Sequence, residues 1–475
     1  MFIRLALRTA LAAAVLMSIA AAQAATYVYV SNADSRKISV LSLDLSKGEL
    51  SPVQTLPVTG VVMPLAVSPD RKYLYASLRS EPFTVASFRI DPASGKLSAI
   101  GSNPLPDSMA NIATDRSGRH LFAASYGGHK MSVGRIGADG AAGPASQVFP
   151  TGQNAHFVLT DPANRNLFVT NLGADAVMQW RFDAASGELT PNATPTFAAR
   201  PKAGPRHLAF HPNGRFVYLL NELDAAVDVL AFDAAKGTLS SLQTVSTLPA
   251  GFSGKPWAAD LHLTPDGHFL YTSERTTSTL AAFAVDANTG QLKLLSHTDT
   301  EKQPRGFNID PSGRYLVAAG QLSHSITLYR RPRQRRAAEP ALDAAGQEPE
   351  LDRDRQPALS RTCASPSSAP GWRLRLTVRP DPGSGQGTPD GAGQRWNDRS
   401  EFGLVARAKA AGWPTPLMPG APSPGMSGAE CPGGLIPRPS RKACHLNTRR
   451  CSPPARRAPF PCTWSSCRPR FRASS

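Results

Sequence analysis

Two short motifs recur together every 45 to 53 residues between Asp44 and about Gly313, and this repetition restricts the chain to stacked or ringed units. One motif is an Asp, three linker residues and Gly-x-Leu, found at Asp44–Leu50, Asp91–Leu97, Asp183–Leu189, Asp233–Leu239 and Asp286–Leu292. The other is a turn of Pro, Asp, Asn or Gly followed by a basic residue or His and an apolar pair. It appears around Pro69, Ser117, Pro162, Pro212, Pro265 and Pro311. Units of this size cannot bury their apolar faces alone.

Between the motifs lie short runs rich in Val, Phe, Tyr, Leu and Ile, such as TYVYVSN, KISVLSLD and TVASFRID. Their partial alternation, bounded by turn formers, predicts strands. Each repeat holds four: one before the Pro turn, one after it, a third ending in Asp, and a fourth after Gly-x-Leu. Four antiparallel strands per repeat make the blade of a β-propeller, which closes radially and leaves only short edges. No sustained 3.6-residue pattern occurs beyond the N-terminus, which excludes a helical solenoid. First strands are expected near 64–67, 110–114, 156–160, 206–210, 258–263 and 305–309. The chain begins with a second, third and fourth strand (26 to about 54) that lack a first. Seven blades are therefore expected, the missing innermost strand being owed by the C-terminal side.

The ends differ from the repeats. Residues 1–25 carry Arg4 and Arg8, an apolar stretch from Leu11 to Ala22, and Ala22-Gln23-Ala24, the layout of a secretory signal peptide. The apolar stretch is too short for a spanning helix, so a periplasmic or secreted protein is expected, or a cytoplasmic one if the signal is unused. Beyond 26–330, residues 331–475 hold 22 of the 43 prolines, all six cysteines, and 24 Lys/Arg against 11 Asp/Glu. That tail carries +13 of the net charge of +17, leaving +4 for residues 1–330. Read as genuine, it would be a basic nucleic-acid or membrane tail; its cysteines show no CxxC spacing. Read one base out of register, Arg330–Ala337 permits V-D-P-A-S-G-E-L, the repeat's own motif, with its Gly 45 residues after Gly290. The same shift over Gln347–Arg355 permits K-N-P-N-W-I-E-I-V, like the first strands. We therefore expect 331–475 to be a frameshifted, disordered tail, the N-terminal blade to lack its innermost strand, and the last to lack its fourth. On that reading the basic charge implies no nucleic acid and no membrane partner beyond export.

Three strings then carry a family resemblance: GPRHLAFHPNGRFVYLLNEL (204–223), WAADLHLTPDGHFLYTSERT (257–276) and QPRGFNIDPSGRYLVAAGQLSHSITLY (303–329). They resemble the bacterial 6-phosphogluconolactonases of the seven-bladed propeller type, a family similar to the fungal carboxymuconate lactonizing enzyme. The resemblance spans about 26–329. It implies a metal-independent hydrolase that opens 6-phospho-glucono-1,5-lactone. The export signal departs from that cytoplasmic chemistry and admits an unphosphorylated sugar lactone. A non-catalytic exported propeller that binds a ligand or protein, and a muconate-type cycloisomerase, are the alternatives.

Lactone hydrolysis needs a base for water and a positive group for the developing oxyanion. Arg206 and Arg305 occupy the same repeat position, and His156 aligns with them at the channel rim. The resemblance points to the same column, with Glu222 nearby. Arg206 and Arg305 are expected to hold the lactone carbonyl or an anionic group, a task suited to planar guanidinium. Glu222 or His156 is the base. Arg275 is either a phosphate ligand or half of an ion pair with Glu274 or another acid. His207, His211 and His262 read as hydrogen-bonded blade residues, while Trp257 and Asp260 read as channel-shaping or packed. Residues 26–330 contain no cysteine, no metal-ligand spacing and no Gly-rich phosphate loop, so no cofactor, metal or nucleotide is expected. A monomer acting on a small molecule is the simplest form.

Overall fold

The computed structural model describes residues 25–331, together with short backbone strands at 343–344, 374–377 and 404–408. Its strands form seven antiparallel sheets, numbered here as blades 1 to 7 in chain order. Each of blades 2 to 6 is one unbroken four-stranded meander. The innermost strands of blades 2 to 7 are Val62–Val67, Asn111–Thr114, Ala155–Thr160, Pro205–Phe210, Ala258–Leu263 and Pro304–Ile309. The six expected first strands are thus present in the expected places.

Blade 1 begins with Thr26–Asn32, Lys37–Asp44 and Glu49–Pro57, as the sequence predicts. Its inner edge, expected to stand open, is instead covered: Leu404–Ala408 pairs antiparallel with 26–30. The outer edge of blade 7 is likewise met by Asp343–Ala344 and Leu374–Thr377, which pair with Ser325–Arg330. A ribbon of unpaired N–H and C=O groups is a ready template for any extended segment. The expected signal over 1–25 and the expected disorder over 331–475 otherwise fall outside the described residues.

Burial lies between the blades. Seven apolar clusters each draw on two neighbouring sheets. One joins Val28, Val30 and Leu41 of blade 1 to Tyr315, Val317 and Leu328 of blade 7, so side-chain packing closes the ring. Second strands are sandwiched on both faces, and Thr26–Asn32 and Phe216–Asn221 are buried throughout.

The Asp-x-x-x-Gly-x-Leu motif now has a physical reading. Asp233 Oδ1 accepts from the N–H groups of Ala235 and Lys236, which holds the turn. Gly237 takes a φ of +65°, a conformation costly to L-residues with a Cβ. Leu239 then enters the core between blades 4 and 5. The preceding blade grips the same turn. Tyr29, Tyr75 and Tyr218 donate through their hydroxyls to the carbonyls of Gly95, Gly140 and Gly290 in the next blade. Gln243 both accepts from Leu292 N–H and donates to its carbonyl. The motif is therefore a fastener between blades as well as a turn within one.

Candidate functional site

The inner strands of blades 2 and 4 to 7 carry the same irregularity at their first turn of pairing. Pro205 lies opposite Asn221 and His207 opposite Leu220, so Arg206 is an extra residue on the inner strand. His156 is the extra residue in blade 4 and Arg305 in blade 7. In blade 6 the extra residue falls within Ala259–Asp260. A β-bulge frees a side chain from the alternation of its strand and re-aims it. The column predicted from the repeat is thus a set of bulges at one end of the central channel.

Second strands run back toward that same end. Glu222 directly follows Phe216–Asn221, and Arg275 directly follows Phe269–Glu274. Arg206 Nε donates to Glu222 Oε2 at 2.8 Å, and Arg275 Nη2 donates to the same oxygen at 2.7 Å. Trp257 Nε1 donates to Oε1 at 3.2 Å. Arg275 also donates to the carbonyls of Trp257 and Ala258 and stacks 3.9 Å over the Trp257 ring. The acid that pairs with Arg275 is therefore Glu222 and not Glu274. Glu274 accepts instead from the N–H groups of Trp257 and Thr277. Burial alone would raise the Glu222 pKa, but Arg275, Arg206 and Arg305 outweigh it and hold it below its ordinary value. Burial pulls the Arg275 guanidinium down to about 10 against the pull of Glu222.

A second polar cluster adjoins the first. Arg206 Nη1 donates to the Ala259 carbonyl and lies 3.0 Å from His207 Nε2. A guanidinium has no acceptor, so Nε2 is the lone-pair nitrogen and Nδ1 carries the proton. His207 Nδ1 donates to Asp260 Oδ1 at 2.8 Å. Asp260 Oδ2 accepts from His262 Nε2 at 3.1 Å and from Phe307 N–H at 3.3 Å. Burial, then the positive field of Arg206, lower the His207 pKa to about 4 despite Asp260. Asp260 is held far below the usual carboxylate range, because His262 and His207 together outweigh its burial. His211, by contrast, contacts the Gly267 carbonyl and Asn213 N–H within the outer turns, away from the site.

These groups surround a cavity of about 250 Å³, lined by His156, Arg206, His207, Asp260, His262 and Arg305 among others. Glu222 and Arg275 do not line it; they form the layer that holds Arg206. The His156 ring lies 5.2 Å from that of His207, and its Nδ1 is buried with no hydrogen-bond partner. Burial, followed by the field of Arg206, drives the His156 pKa well below its ordinary value, so the ring is neutral. With both rings neutral, Arg206 and Arg305 bring two guanidiniums to the wall of a cavity that they share with these imidazoles. Its volume sits just under the ~300 Å³ at the small end of ordinary ligand pockets. Among the described residues, no group of three or more His, Cys, Asp or Glu is placed to hold a metal ion.

Comparisons with known proteins identify the family. The family described as "Lactonase, 7-bladed beta-propeller" matches residues 23–349. The 6-phosphogluconolactonase of Pectobacterium carotovorum is 44% identical over 302 residues, which is 64% of this chain and 90% of that one. The 6-phosphogluconolactonase of Erwinia tasmaniensis is 43% identical over 323 residues, 68% of this chain and 96% of its own. Among solved structures, the periplasmic gluconolactonase of Pseudomonas aeruginosa superposes with a TM-score of 0.61 at 30% identity, over 65% of this chain and 92% of that one.

Proposed function

Because this chain belongs to the seven-bladed β-propeller lactonases, we propose that it hydrolyses a sugar lactone in the channel-mouth cavity, with 6-phospho-glucono-1,5-lactone as substrate and 6-phosphogluconate as product. The observation that carries this reading is the convergence of three bulge residues, His156, Arg206 and Arg305, on one compact cavity. Opening a lactone turns a neutral carbonyl into an oxyanion, and preorganised cations in a site shielded from water stabilise that change most. Relatives named 6-phosphogluconolactonase support the phosphorylated substrate.

The roles follow from the geometry. Arg206 faces the cavity with its orientation held by Glu222, His207 and Ala259, so it can meet the carbonyl oxygen without reorganising. Arg305 serves the substrate's anionic group or shares the oxyanion. Of the two expected bases, His156 is favoured over Glu222. The Glu222 oxygens already accept from two guanidiniums and an indole, whereas His156 offers a neutral ring with an unsatisfied nitrogen. His156 takes the proton of the attacking water, and Glu222 and Arg275 act as positioning residues. All of these side chains come from blades 4 to 7 of one chain, so a monomer suffices.

A second reading rests on residues 1–25. Their signal-like layout, together with the periplasmic gluconolactonase among similar structures, supports export and an unphosphorylated glucono-1,5-lactone. The test is direct. Acid release from both lactones is followed with purified protein and with R305M and H156Q. Hydrolysis well above spontaneous opening, lowered on the order of 100-fold in each variant, supports the site. A rate equal to spontaneous opening for both lactones removes it. Cell fractionation of the expressed chain checks export, and protein confined to the cytoplasm removes that part.

A further inference from the structure

The breaking C–O bond leaves an alkoxide on the sugar, and neither guanidinium is a ready proton donor to it. The structure offers one further group. His262 lines the same cavity, with its side chain about one third exposed, and its Nε2 faces Asp260 Oδ2. Asp260 is fixed by four donors: His207, His262 and the N–H groups of Leu261 and Phe307. The two imidazoles on Asp260 are not equivalent. His207 spends its second nitrogen on Arg206, while no described residue hydrogen-bonds His262 Nδ1. A carboxylate bonded to one nitrogen fixes the ring's orientation.

We propose that His262, positioned by Asp260, is the general acid that protonates the departing ring oxygen of the lactone. The assignment deepens the hydrolase reading and rests on it. Water attacks the carbonyl carbon and gives a proton to His156. The tetrahedral oxyanion then reforms the carbonyl, and the C–O ring bond breaks with its electron pair on oxygen. The Nδ1 proton of His262 passes to that oxygen, and both rings return to their starting states by exchange with solvent. His262 meets Asp260 on its own strand, His207 and Arg206 from blade 5, Arg305 and the edge of the Phe307 ring from blade 7, and Tyr271 paired opposite it. Asp260 is the anionic carboxylate of that set.

The experiment is a pH–rate profile from 5 to 9 for wild type, H262Q, D260N and H156Q on the lactone that the wild type opens. H262Q should lower kcat on the order of 100-fold, leave KM nearly unchanged and erase the fall in rate at alkaline pH. D260N should also lower kcat with KM nearly unchanged, and should cost little more when added to H262Q, which a merely structural role would not do. H156Q should lower kcat across the whole range and leave the alkaline fall in place. Wild-type kcat and an intact alkaline fall in H262Q would overturn the assignment. A wild type that opens no sugar lactone would instead remove the hydrolase reading, a result the two outcomes keep separate.

Discussion

Glu222 and Arg275 occupy the same position in adjacent repeats, each directly after a second strand, and their side chains meet at 2.7 Å. A position that faces its own counterpart across a blade seam can hold opposite charges in neighbouring copies. This chain uses that to build a buried cluster in which one carboxylate binds two guanidiniums. Removing the carboxylate strands both cations out of water. Glu222→Gln should therefore lose about 3 kcal/mol of stability, since breaking a buried ion pair on one side is costly, and should lower kcat/KM as Arg206 loosens. Urea unfolding read beside activity checks it. An unchanged midpoint would mean that the cluster is solvated.

The two buried neutral imidazoles give a pH signature. His207 is held at about 4 in the folded chain against 6.5 when free, and His156 is lowered in the same direction. Above pH 6.5 neither state takes up a proton and stability is flat. Below it the unfolded chain binds protons that the folded chain refuses, so stability falls by about 1.4 kcal/mol per pH unit for each ring. The His207 part levels off near pH 4. Glu222 and Asp260, both lowered, contribute above their unfolded pKa and lose that contribution as acid titrates the folded state. His207→Gln should make the slope between pH 6.5 and 4 shallower by one proton, as measured by urea midpoints at fixed pH steps. An unaltered slope would place the protonation elsewhere.

Much of this was legible in the residues, and what was not has a physical cause. The repeat revealed six first strands and the column of His156, Arg206 and Arg305, because a bulge recurs at the same step of blades 4, 5 and 7. Glu274 and Arg275 could not be sorted as partners from sequence. Adjacent strand residues point to opposite faces, so Glu274 serves its own blade while Arg275 crosses to blade 5. Asp260 read as one polar residue among several. Its importance comes from His207, 53 positions earlier, and from the blade 7 backbone, and only the register between blades brings them together. The covered inner edge of blade 1 was also unreadable, since Leu404–Ala408 carries no repeat signal.

The seams between blades should be measurable one bond at a time. Tyr218 is fully buried and donates to the Gly290 carbonyl of the next blade at 3.0 Å. Tyr218→Phe keeps the ring and leaves the carbonyl unsatisfied, a loss of about 1 kcal/mol. Arg215 reaches carbonyls of the same turn from an exposed position. Arg215→Ala should cost about 0.5 kcal/mol or less, as exposed charged contacts usually do. Chemical denaturation of both variants decides the order, and an equal or reversed ranking would show that burial does not govern these fasteners.

The glycine of the repeated motif can be separated into its two demands. Gly290 has a φ of +75°, and a Cβ there would sit 2.5 Å from Phe216 Cγ in the preceding blade. Gly214, in the Pro-Asn-Gly turn, has a φ of +70° but nothing within 4 Å of the same added atom. Alanine at either site bears the left-handed backbone cost of about 1–2 kcal/mol. Only at Gly290 must the aromatic ring also shift, and forced repacking adds about 1–3 kcal/mol. Gly290→Ala should therefore lose about 3 kcal/mol and Gly214→Ala about 1 kcal/mol in parallel urea titrations. The excess at Gly290 measures how tightly blade 5 presses on the blade 6 turn, beside the seam that carries Glu222 and Arg275. Equal losses at the two sites would mean that the seam is slack and that backbone geometry alone retains glycine in the motif.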